Sequence, residues 1–125
     1  MMKYGIIRLN YIGKGGVVWR SGFETWGEAA DAAAAEHYRA PDEAGNNCVL
    51  WLCEYASRLD LIRQAAGMTQ HDLADEAGVN FRTIQDYCQG RKKLETAGVL
   101  RCVKMARALG CKVEDIIEVE YDKVD

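Results

Sequence analysis

Met68-Thr-Gln-His-Asp-Leu-Ala-Asp-Glu-Ala-Gly-Val-Asn-Phe-Arg-Thr-Ile-Gln-Asp-Tyr-Cys-Gln-Gly90 holds two helix starts and two helix stops in close succession. Thr69 stands as an N-cap with an acid, Asp72, three residues on, and Leu73, Ala74 and Ala77 form an inner stripe that runs to Gly78. Asn80 caps the next helix, whose inner face is Ile84, Tyr87 and Cys88 and which Gly90 stops. Two helices joined by so short a turn cross at ~90–120° and leave no room for large side chains at the crossing point. Ala74 supplies the small residue there, and Gly78 lies in the turn, where a Cβ strains the backbone. Leu73, Ala77, Val79, Ile84 and Tyr87 share the core.

Upstream, Ser57-Arg-Leu-Asp60 caps a helix with apolar positions Leu59, Ile62 and Ala66, ending at Gly67. Together these residues resemble the Cro/cI-type, or XRE-like, helix-turn-helix family of bacterial and phage transcription regulators. The resemblance covers about residues 56–118 and continues through Met105-Ala-Arg-Ala-Leu-Gly110 and Val113-Glu-Asp-Ile-Ile117, which are similar to the family's fourth and fifth helices. The segment from Gly90 to Met105 is longer than the usual family spacing and lacks the proline commonly found there.

The resemblance implies a docking mode in which the helix over 80–89 enters the major groove of double-stranded DNA. Its outward positions then become readers: Asn80, Phe81, Arg82, Gln85, Asp86 and Gln89. Arg82 suits guanine O6 and N7, Gln85 suits adenine, and Phe81 suits a thymine methyl. Asp86 either accepts from cytosine N4 or, four residues from Arg82, holds that guanidinium in place. Gln70, at the start of the preceding helix, is expected at a backbone phosphate, and so is the basic run Arg91-Lys92-Lys93.

The first 55 residues have another texture. Tyr4 to Ile12 alternates with period two, Gly13-Lys14-Gly15-Gly16 supplies a turn, and Val17-Val18-Trp19-Arg20 restarts strand character, which reads as a hairpin. Thr25-Trp26-Gly27-Glu28 is a capping box for an alanine-rich helix with Trp26, Ala30, Ala33 and His37 on one stripe, closed by Pro41. After the Asn46-Asn47 turn, Cys48 to Tyr55 is a strand. The expected architecture is α+β: a β-β-α-β module over 1–55, an all-α five-helix domain over 56–118, and an acidic tail over 119–125. So small a sheet leans on the second module or on another subunit. Trp51 is expected in its core, the other reading being edge-to-edge pairing with a second copy.

The chain has 125 residues, a near-average apolar and charged content and a net charge of −3, which points to one or two small folded modules. Residues 56–118 hold ten basic and nine acidic groups, a weak electrostatic footprint for a DNA binder. Useful affinity then calls for a homodimer spanning half-sites ~34 Å apart, or a partner complex. Five cysteines at no metal-ligand spacing read as reduced, mostly buried thiols of a cytoplasmic protein. No apolar run has the ~20 residues of a membrane-spanning helix, and no export signal is visible at the start. The glycine loop lacks the strand–GxxxxGK[ST]–helix pattern of a phosphate-binding loop. Neither His37 nor His71 has a nucleophile or metal-ligand companion, so no catalytic, cofactor or metal site is expected.

The leading expectation is therefore a sequence-specific DNA-binding transcriptional regulator. The alternative is an antitoxin-like or adaptor module that binds a partner protein through residues 1–55.

Overall fold

Alternation along the first strand decides how the front half is layered, because successive side chains of a strand point to opposite faces of its sheet. The structure, a computed structural model, describes residues 2–10 and 15–117. Strand β1 (Lys3–Leu9) pairs antiparallel with β2 (Gly16–Phe23) on one side and β4 (Asn47–Tyr55) on the other. A short strand β3 (Arg39–Pro41) adds to β4, giving the order β2-β1-β4-β3. The sheet thus has one strand more than the expected β-β-α-β module. Three residues ending in proline carry no period-two signal, and a proline fits at a sheet edge. The expected turn residues Gly13 and Lys14, and the acidic tail, lie outside the described residues.

Ile6 and Leu50 face helix α1 (Trp26–Ala35), whose Ala29 and Ala33 bring its backbone close to the sheet. Thr25 caps α1 by accepting the Glu28 amide at 3.1 Å. The helix ends at Ala35, and His37 and Tyr38 both turn through positive φ, at 55° and 56°. His37 is therefore exposed in a turn rather than at the edge of a helical stripe.

Ile7, Cys53 and Tyr55 point the other way and bury against Leu61 and Ala65 of helix α2 (Arg58–Ala65). Gly5 makes that approach feasible, since a Cβ there would lie 3.1 Å from Leu61 Cδ1. The opposite side of α2 sends Leu59 into the core of the helical half, so this helix is buried on two sides and belongs to both cores. The expected stripe of Leu59, Ile62 and Ala66 captured only one of them, because Leu61 and Ala65 lie off that stripe. Trp51 also departs from expectation. It stands on the α2 face of β4 but is 61% exposed, the buried positions of β4 on that face being Cys53 and Tyr55.

Helices α3 (Gln70–Ala77), α4 (Phe81–Cys88), α5 (Val99–Leu109) and α6 (Val113–Ile116) complete the chain, with a short 3-10 turn at Leu94–Thr96. Leu59, Leu73, Ile84, Met105 and Ile116 meet at the centre of this half. No helix among the described residues is long and apolar enough to cross a membrane.

Candidate nucleic-acid interface

The α3–α4 pair is built by caps. The Thr69 hydroxyl accepts the Asp72 amide at 3.0 Å, and the Asp72 carboxylate accepts the Thr69 amide at 3.0 Å. That amide hydrogen bond holds the Asp72 carboxyl below its ordinary range. Gly78 ends α3 with φ of 65°; no atom crowds its Cβ position, so the left-handed backbone is what calls for glycine. Asn80 then starts α4 by accepting the Arg82 amide at 2.8 Å.

Ile84, Tyr87 and Cys88 turn inward against α2 and α3, as the spacing requires. Ala74 and Ala77 are buried there, and Val79 packs at the margin. The far end of α4 is held by Ser57, whose hydroxyl donates to the Cys88 carbonyl at 3.1 Å. Gly90 fits beside the strand-to-helix joint, where a Cβ would meet the Ala56 carbonyl oxygen at 3.3 Å. Among the described residues, the core clusters of the sheet contain no residue of α4.

On that outer face Arg82 is 76% exposed, Gln89 and Asn80 are exposed, and Gln85 is half-buried. The Asn80 side-chain oxygen is engaged in the cap. Phe81 is half-buried against the core, and its ring stacks on His71 with centroids 3.7 Å apart and planes within 5°. His71 is exposed, and the stack joins two helix N-termini and follows no single-helix periodicity. Gln70 is half-buried at the first position of α3.

Asp86 is the organising residue. Its carboxylate, 14% exposed, lies 3.7 Å from Arg82 Nε, 3.2 Å from Arg91 Nε and 3.7 Å from Lys92 Nζ. Its main-chain carbonyl accepts the Arg91 amide at 2.9 Å and the Lys92 amide at 3.3 Å. Four expected site residues thus come together: Arg82, Asp86, Arg91 and Lys92. Lys93 stays outside the group, its carbonyl accepting the Thr96 hydroxyl at 2.6 Å.

Beneath the face, Asp60 is buried and accepts from Arg63 Nε at 3.0 Å and from its terminal nitrogen at 2.7 Å, while Gln64 donates at 3.1 Å. Arg63 also donates to the Met68 carbonyl at 2.7 Å, tying α2 to the start of the α3 cap. All five cysteines are free; burial pushes the thiols of Cys53 and Cys111 up to about 11 and that of Cys88 up to about 12.

Residues 59–116 match a family model described as helix-turn-helix. Among solved structures, the chain is similar to the restriction-modification controller protein C.AhdI from Aeromonas hydrophila. The two are 24% identical with a TM-score of 0.42, over 46% of this chain and 83% of that one. No curated protein matches the sequence.

Proposed function

We propose, from the match of residues 59–116 to a helix-turn-helix family model and their resemblance to the Cro/cI (XRE-like) type, that this protein is a sequence-specific DNA-binding transcriptional regulator reading the major groove with α4. The observation that carries the reading is Arg82, outward on a helix whose opposite face is packed in the core, with Arg91 and Lys92 beside it. Arg82 and Gln85 are the base readers. Gln70, Arg91, Lys92 and Lys93 face phosphates, and Asn80, Phe81 and Gln89 line the groove around the readers. The activity is binding, not catalysis.

The regulator works as a homodimer, since one such module with few phosphate contacts binds weakly. Supporting this, among the described residues β3 pairs with β4 only at Asn47–Val49, Tyr38 adds one bond to Leu50, and no strand lies along the edge from Trp51 to Tyr55, with Trp51 exposed there. A second reading, in which residues 1–55 hold a partner protein, draws on the same Trp51 surface. Sedimentation decides between them: self-association lost on Trp51→Lys supports the dimer, and a monomer at all concentrations supports the partner. Selection from a random duplex pool tests the DNA reading. An enriched site supports it; no enrichment, with binding indifferent to Arg82→Ala, rejects it.

A further inference from the structure

We infer that Asp86 is a charge clamp that sets specificity: it keeps the cations of the binding face engaged so that they respond to the right duplex and not to any polyanion. This rests on the DNA-binding reading and adds to it a residue that acts by restraint.

Arg82 reaches Asp86 from one turn earlier on the same helix, whereas Arg91 and Lys92 fold back onto it from the following loop. The main-chain bonds from both loop amides to the Asp86 carbonyl fix this return, so one residue holds the loop by its backbone and the three cations by its side chain. The carboxylate is largely buried while the three cationic side chains remain mostly exposed. The cations therefore have a partner before any ligand arrives and still project to where one would bind.

A phosphate approaching alone must compete with the carboxylate for a cation already satisfied, and gains little. A duplex that offers Arg82 a base edge and Arg91 and Lys92 their phosphates replaces all three ion pairs together. Asp86 thus lowers affinity for arbitrary sequence more than for the cognate site. It is a positioning residue, acting through Arg82, Arg91 and Lys92.

Three variants on a random-sequence duplex, on immobilised heparin and on the selected site test this. Asp86→Asn is expected to bind random duplex about tenfold tighter at 0.1 M salt, its salt slope steeper by about 0.9, the change for one more phosphate contact. The ratio of specific to random binding narrows in parallel. Glu76→Gln, which removes the same charge from an exposed position on α3, should change neither ratio nor slope as much. Asp86→Glu should restore wild-type behaviour, which also separates the clamp from loss of folding. Equal gains for Asp86→Asn and Glu76→Gln, or no gain for Asp86→Asn, would overturn the inference. Should no site be enriched, the sequence-specific reading falls, while heparin and random duplex still decide whether the clamp exists.

Discussion

The Ser57 hydroxyl accepts the Asp60 amide at 3.2 Å and donates to the Cys88 carbonyl at 3.1 Å, so the group that starts α2 also closes α4. Because α2 is the helix shared with the sheet, this hydroxyl fixes α4 to the frame of the whole protein.

Ser57→Ala should therefore cost about 1–2 kcal/mol, combining a lost N-cap with an unpaired carbonyl. Denaturant unfolding measures the loss, and Ser57→Thr should recover most of it. An unchanged midpoint for Ser57→Ala would mean that α4 is held by packing alone.

Asp60 is buried and pairs with the half-buried Arg63, which also holds the Met68 carbonyl. Removing one partner leaves a desolvated charge, so Asp60→Ala is expected to destabilise by about 3 kcal/mol. Replacing both by apolar residues should cost less than Asp60→Ala alone; a double variant that is worse would show that the hydrogen bond to Met68 dominates.

The buried thiols make the protein labile to alkali. Their ordinary value is near 9, and burial raises Cys53 and Cys111 to about 11 and Cys88 to about 12. The unfolded chain then loses these protons first, so stability is fully present below pH ~9 and falls as pH rises from there through about 12. Thermal unfolding across that range should show a declining midpoint, flattened when Cys88 is replaced by Ala and the lower baseline is subtracted.

Arg82 and Arg91 should separate by role. Arg82→Ala is expected to cost about 1–3 kcal/mol on the selected site and to relax preference at one base pair. Arg91→Gln should weaken binding to the selected site without changing which bases are preferred, and reduce the salt slope there by about 0.9. Anisotropy titrations at several salt concentrations distinguish the two patterns, and identical profiles would remove Arg82 from base reading.

The helical half was legible because its signals are local. Thr69, Asn80 and Ser57 cap the helices they precede, and Gly78 takes the left-handed turn its spacing demanded. What stayed hidden depends on partners distant in sequence. Leu61 and Ala65 meet Ile7 of the distant first strand as well as Cys53 and Tyr55, so α2 showed one stripe where it has two. Cys48 to Tyr55 was recognised as a strand, but no local pattern says which of its residues a helix will cover, and Trp51 is left outside. At the site, the i,i+4 pairing of Arg82 with Asp86 could be counted off the helix; the return of Arg91 and Lys92 to the same carboxylate required the loop's fold.

The outer face of α4 is the surface proposed to meet DNA. Amide chemical shifts followed during titration with the selected duplex should move at Gln70 and His71 and from Asn80 through Lys93, with the β1–β4 sheet unchanged. Shifts confined to the sheet, with α4 silent, would contradict it.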